Sequence, residues 1–310
     1  MAITTSLVIP AYNESARLGT GFERLRPTLE TMGTDSTEVI IIDDGSSDDT
    51  ARVAHEVYGH LPHTLLVRQP VNRGKGAAVR LGIALASGDY VIATDADMAI
   101  SPAQFPDFVA KLHDVAVVVG SRGHERHIRY DSVLRTLAGS TFNRFVRHYA
   151  HTTLRDTQCG CKGFQRGPGR LIGLLGMIDG FAYDAEIFYL ASQLAIPVEP
   201  LSVTWDDVRG SSVKMGRDSL TMLRDIRSLT STRYENPVVE LMTDVDLADV
   251  ANAVRQARVQ GLVVARGDEN ALLVLARDGA PAGMGVAAAL GGRLRTATIQ
   301  ELRGRRLEAV

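Results

Sequence analysis

Apolar residues fill the first 120 positions in short β-branched runs, separated by stretches with helical spacing. "SLVIPAY", "EVIIIDDGS", "HTLLVRQ", "DYVIATDAD" and "VAVVVGSR" read as strands buried on both faces, because their centres lack the polar alternation of a half-wet strand. Between them, "ARLGTGFERLRPTLETM", "DDTARVAHEVYGH" and "KGAAVRLGIALAS" carry the spacing of helices. Strands alternating with helices predict a mainly parallel, Rossmann-like sheet with helices on both faces. Ligands in such sheets bind beyond the carboxyl ends of the strands. The polar clusters "PAYNES", "DDGSSDD" and "TDADM" all fall at those ends.

The pattern then changes. Residues 122–235 carry more arginine and more helix, with a glycine-rich middle from Thr157 to Gly176. A break is expected at "YENPVVE", and beyond it a small β-α-β-β-α-β unit. The predicted organisation is a catalytic domain over 1–235 and a small α+β accessory domain over 236–310. The second unit carries no constellation suited to catalysis, so an interaction or stabilising role is its expected use.

Bulk properties narrow the classes. The chain has 310 residues, 45% of them hydrophobic, and a net charge of −2, which gives no global signature of a nucleic-acid binder. Cys159 and Cys161 form a "CGC" spacing that suits neither a zinc site nor a disulfide framework, so a reducing cytoplasm is expected. No signal peptide is read at the N-terminus, and no apolar run approaches the roughly 18–20 residues of a bilayer span. Work at a membrane would then proceed from the surface, peripherally on the cytoplasmic face.

The candidate chemistry sits at the strand ends. Asp95 and Asp97 close the fourth strand, two residues apart and so expected on one side of an extended segment, where both face one hard cation. A helix N-cap is the plainer use of this stretch. Asp43 and Asp44 end the second strand. Capping by Ser47 or Asp48 explains part of "DDGSSDD", and a carboxylate there can also accept from a base imide or a ribose hydroxyl. "NRGKGAAVR" fails the Walker pattern, since Gln69 stands where glycine is required, and leaves a loop with Lys75 ahead of a helix. Arg122 ends the fifth strand and points to the same rim, with Arg135 following.

Together these residues resemble glycosyltransferase family 2 enzymes of the GT-A fold, and most of all the dolichyl-phosphate glucosyltransferase branch with its bacterial polyprenyl-phosphate relatives. The matching stretches are "LVIPAYNES", "EVIIIDDGSSDDT", "NRGKGAAVRLG", "TDADM", "GSR", "RDTQCGCKGFQR", "FAYDAEI" and "VTWDDVRGSSVK", covering about residues 5–230. The resemblance implies that Pro10, Ala11, Tyr12 and Glu14 line the nucleoside pocket and that Asp44 holds the base. It puts Asp95 at the ribose or the metal, Asp97 on the metal, which would be Mg²⁺ or Mn²⁺, and Lys75 near the nucleotide. Arg122 and Arg135 would meet an acceptor phosphate, with Asp156, Gln158 and Asp184 around the sugar and acceptor. Cys161 departs from the phenylalanine usual there, a change of packing.

The expected function is therefore inverting, metal-dependent transfer of a hexose, glucose from a UDP-glucose donor, onto a polyprenyl phosphate. The alternatives are a transferase of the same fold with a soluble acceptor and a non-catalytic nucleotide-sugar binder. A nucleotidyltransferase would want a glycine-rich loop where "PAYNES" stands. The stretch "VKMGRDSLTMLRDIRSLTSTRY" could lie on an anionic membrane as a basic amphipathic helix, or pack on the sheet with its arginines in solvent.

Overall fold

The computed structural model describes residues 2–122, 147–148, 152, 154, 156–193, 196–205, 222, 224–227 and 229, with the backbone of five further strands between 239 and 309. The first half follows the apolar pattern: β1 (Thr5–Ala11), α1 (Ser15–Met32), β2 (Thr37–Asp43), α2 (Thr50–Tyr58), β3 (Thr64–Arg68), α3 (Lys75–Leu85), β4 (Tyr90–Ala93), α4 (Phe105–Leu112) and β5 (Val117–Arg122). Then come β6 (Lys162–Gln165), α5 (Arg166–Leu175), α6 (Tyr183–Gln193) and β7 (Val198–Val203).

The seven strands form one sheet in the order β3-β2-β1-β4-β6-β5-β7, parallel except for β6, which runs against both β4 and β5. Strand alternation divides the apolar runs between the two faces. Leu7, Ile9, Val39, Ile41, Ile92 and Val118 pack with residues of α1, α2 and α4. On the other face, Val8, Ile40, Ile42, Val91, Val117 and Val119 pack with α3, α5 and α6. That is why these strands read as continuous apolar segments. β3 differs from expectation: as the edge strand it is only partly covered, and Leu65 is exposed.

Two elements were not anticipated. β6 and β7 carry Gly163 and Pro200, residues that speak against strands. Pro200 is accommodated because β7 is the opposite edge, where a missing N–H leaves no pair unmade. The stretch "FAYDAEIFYLASQL" reads in the sequence as the start of an amphipathic helix, yet in α6 Tyr183 through Ala191 are all buried.

After residue 236, β8 (Val239–Met242), β9 (Leu262–Gly267), β10 (Leu272–Ala276), β11 (Leu294–Ala297) and β12 (Leu307–Ala309) form a separate antiparallel sheet, ordered β11-β8-β10-β9-β12. β8 and β9 flank β10 and run the same way. The first four strands thus have the order of the expected β-α-β-β-α-β unit, and the segments expected as its helices lie outside the described residues.

Candidate active site

The carboxyl ends of β1, β2, β4 and β5 make one rim, and loops laced by side chains build it. Beyond β1, Asn13 takes a left-handed backbone (φ +54°) and its N–H donates to Ser46 Oγ at 2.9 Å, while its Oδ1 accepts from Ser47 N. Asp48 accepts from Ser15 and Thr50, tying the starts of α1 and α2 together and holding its carboxyl below the usual range despite the opposing cost of burial. The N-cap position of α2 falls on Asp49, which makes no side-chain capping bond, so the cap expected from Ser47 or Asp48 is not formed there, and Asp48 reaches only Thr50 N from one position further out. Pro10 and Ala11 end β1 behind these loops, and Tyr12 stands 43% exposed at the rim.

Both oxygens of Asp44 are engaged. Oδ1 accepts from Gln69 Nε2 (2.8 Å) and Arg73 N (2.9 Å), and Oδ2 from Gly74 N (2.7 Å). The residue is buried, which raises its carboxyl, and those two amides pull the other way. Neighbouring Asp43 accepts from Ser46 N through Oδ1, whereas its buried Oδ2 has no hydrogen-bond partner, with Arg68 Nε at an ion-pair distance of 3.4 Å.

The acidic pair is placed differently from expectation. β4 ends at Ala93, and Asp95 and Asp97 lie in a tight turn closed by Met98 N donating to Asp95 O (3.0 Å), with Met98 left-handed at φ +49°. They are not on an extended strand, although each lies in the other's field. Burial, then Asp95, raises the carboxyl of Asp97, whose Oδ1 accepts from Ala99 N at 3.1 Å. Asp95 instead lies below the usual range: burial opposes this, and Lys75, Lys162 and Arg122 outweigh it. Lys75 Nζ donates to Asp95 Oδ1 at 2.5 Å. The other Asp95 oxygen lies against Gly160, where an added Cβ would stand 2.0 Å from it, so the glycine of "QCGC" makes room for the acid.

Two cations of this site escaped the sequence reading. Arg17, on the first turn of α1, holds Glu14 (Nη2 to Oε1, 2.9 Å; Nε 2.6 Å from Oε2, too bent for a hydrogen bond) and has Nη1 3.7 Å from Asp97 Oδ2. Burial first, then the nearby acids, pushes Glu14 up to about 7 against the pull of Arg17. Lys162 is almost wholly buried, donates to Cys159 O and Asp184 Oδ1, both at 2.6 Å, and lies 5.7 Å from the Tyr183 ring centre. The available signal was a lysine inside an apolar strand, "CKGF", where no solvated ammonium fits. Arg17 offered no comparable signal in a helical stretch full of arginines.

The remaining expected residues pair off. Arg122 grips Asp156 as a fork, Nε to Oδ2 at 2.8 Å and Nη2 to Oδ1 at 3.0 Å, and Gln158 N also donates to Asp156. The fork drives the Asp156 carboxyl down against the cost of burial. Arg135 lies outside the described residues. Trp205 bridges to Ile100, which brings the end of β7 against the segment after the acidic pair.

Beneath the rim, the loop before α6 wedges against the start of α3. Gly74 (φ +110°) has no room for a side chain, since a Cβ would stand 2.4 Å from Asp179 O, and Ala77 N donates to that same oxygen. Glu186 accepts from Met177 N and Ile178 N, and Arg80 binds Ile178 O and Asp179.

Asp95 and Asp97 suit a hard divalent cation, offering carboxylate oxygens on one turn. Among the described residues no cluster of three or more His, Cys, Asp or Glu side chains could enclose such an ion. Further oxygens would have to come from a ligand or from water.

Residues 6–169 match the family model of "Glycosyl transferase family 2". The dolichyl-phosphate beta-glucosyltransferase of Dictyostelium discoideum is 35% identical over 238 residues, covering 72% of this chain and 73% of its own. That of Homo sapiens is 33% identical, covering 69% and 73%. Among solved structures, glucosyl-3-phosphoglycerate synthase from Mycobacterium tuberculosis superposes with a TM-score of 0.53 at 19% identity, over 76% of this chain and 84% of that one. A complex of that enzyme with Mn²⁺, UDP-glucose and phosphoglyceric acid gives 0.51 at 21%, over 76% and 83%. These structures share the fold.

Proposed function

The chain belongs to glycosyltransferase family 2, and on that premise we propose that this glycosyltransferase moves glucose from UDP-glucose onto a polyprenyl phosphate, with inversion and with a divalent cation. The observation that carries the reading is the rim itself: Asp95 and Asp97 in one turn, faced by Lys75, Arg17 and Arg122. A diphosphate needs cations, a divalent ion needs carboxylates, and both sets stand together here. Relatives named for dolichyl phosphate, similar across two thirds of the chain or more, support the acceptor class.

In this reading Tyr12 offers its exposed ring to the base. Asp43 is the stronger candidate for a base imide, because its Oδ2 has no hydrogen-bond partner, whereas Asp44 spends both oxygens on the loop that carries Lys75. Pro10, Ala11 and Glu14 wall the nucleoside. Asp97 and Asp95 would hold the cation, which when bound neutralises the charge gathering on the leaving diphosphate. One phosphate oxygen of the acceptor forms a bond to the anomeric carbon as the bond to the diphosphate oxygen breaks on the opposite face.

That nucleophile is already anionic at neutral pH, so no general base is needed. The protein agrees with this economy: Asp156 is committed to Arg122 and Asp184 to Lys162. Their role is to aim those cations, Arg122 towards the acceptor phosphate. Rate would then come from positioning and from charge fixed in advance.

No helix among the described residues is long and apolar enough to cross a membrane. In the arginine-rich stretch, Ile226 and Leu229 are buried in the catalytic core while Arg224 and Arg227 are exposed. Of its two readings this favours packing on the sheet, and contact with an anionic lipid surface would be made by charge.

The test mixes purified protein, Mg²⁺ and a polyprenyl phosphate with each of several nucleotide sugars. Chloroform-extractable, sugar-bearing lipid formed from UDP-glucose supports the reading. Consumption of the nucleotide sugar without lipid product would move the acceptor to the soluble class.

A further inference from the structure

Each acid expected to hold the divalent cation already has a protein cation beside it. Lys75 Nζ lies 2.5 Å from Asp95 Oδ1, and Arg17 Nη1 lies 3.7 Å from Asp97 Oδ2. The two contacts differ in strength: the first is a short charge-assisted hydrogen bond, and the second is a loose approach by an arginine mainly engaged with Glu14. The backbone beneath Lys75 is also fixed. Arg73 N and Gly74 N donate to Asp44, Ala77 N donates to Asp179 O, and Gly74 is packed too tightly for any side chain. Only the lysine side chain is left to move.

The second oxygen of Asp95 faces the backbone at Gly160, at a spacing no Cβ could share. A cation arriving at Asp95 therefore competes with the Lys75 ammonium for one carboxylate. The displaced ammonium is only partly exposed, with 22% of its side chain in contact with solvent, so it needs another anion nearby. A diphosphate delivered at this rim is such an anion.

We propose that Lys75 is a built-in competitor for the divalent cation at Asp95, and that it makes metal capture conditional on a diphosphate. Without nucleotide the ammonium satisfies Asp95 and metal binds weakly. With nucleotide the ammonium passes to a phosphate oxygen and Asp95 is released to the metal. Linkage requires the converse, that metal tightens the nucleotide by the same factor. The inference rests on the metal-dependent reading above and assigns to Lys75 a role in ordering the two ligands.

The experiment measures Mn²⁺ binding by electron paramagnetic resonance in the full chain, with and without UDP. It compares the wild-type protein with Lys75→Met, Lys75→Gln and Lys75→Arg, and circular dichroism verifies that each is folded. Removing the charge should tighten binding of Mn²⁺ alone on the order of tenfold and shrink the gain that UDP gives, whereas Lys75→Arg should keep the weak wild-type affinity. A purely structural lysine would not yield tighter metal binding when lost. Equal or weaker Mn²⁺ binding by both neutral variants, with wild type still binding Mn²⁺ in the presence of UDP, overturns the inference and leaves the enzyme reading standing. No Mn²⁺ binding by any of the proteins, with or without UDP, overturns both.

Discussion

Asp97 is the residue on which the reading is most exposed. Among the described residues it accepts one hydrogen bond, from Ala99 N, and has only the loose approach of Arg17 at 3.7 Å, so Asp97→Ala should fold normally and lose at least about a hundredfold in turnover. Retained activity would remove its metal role. Asp156 makes a subtler case, because its partner Arg122 is the group proposed to meet the acceptor phosphate. Asp156→Asn leaves the Arg122 guanidinium without its counter-charge, a change on the order of 1–3 kcal/mol. Steady-state kinetics should show kcat/KM for the acceptor falling about ten- to a hundredfold, with Asp156→Glu recovering part of it. At this scale the sequence was informative where chemistry sits at a strand end: Asp43, Asp95, Lys75 and Arg122 all reach the rim from their positions in the pattern. Partners were not legible. That Asp44 anchors a loop and that Lys162 is sunk beside Asp184 depend on contacts between residues 22 to 30 positions apart, which no local pattern records.

Among the elements, the start of α6 offers a pH test. Burial raises Glu186 to about 7 from an ordinary 4.5, against the pull of the Met177 and Ile178 amides and of Arg80. Between those values the folded protein retains a proton that the unfolded chain releases. This carboxyl's contribution therefore favours folding less as pH rises from 4.5 to about 7, by at most about 3 kcal/mol, and is level above. Denaturant unfolding of Glu186→Gln should show a shallower fall over that window than wild type, with the share due to Glu14 remaining. An unchanged slope would contradict the assignment. β1, β2, β4 and β5 were legible because their centres are continuously apolar and buried on both faces. β6 and β7 were not, since Gly163 and Pro200 lower strand propensity and only pairing with β4 and β5 makes them strands.

For the molecule as a whole, we propose that the unit after residue 236 supports the catalytic part without entering its chemistry. Among the described residues its strands pair with one another, while β12 contacts α5. A chain ending at residue 235 should thus still bind UDP in calorimetry, with a lowered melting temperature from the uncovered α5. Loss of UDP binding in a folded truncation would give the unit a direct role. The central claim, however, is that lipid phosphate attacks the sugar directly in one displacement, needing no base from Asp156 or Asp184. The measurement that tests it most directly is the anomeric configuration, by proton NMR, of the sugar-phosphate linkage formed from UDP-glucose and a polyprenyl phosphate. A β-linked product from the α-linked donor is the predicted result. An α-linked product, or sugar recovered on anything other than the lipid phosphate, would contradict it.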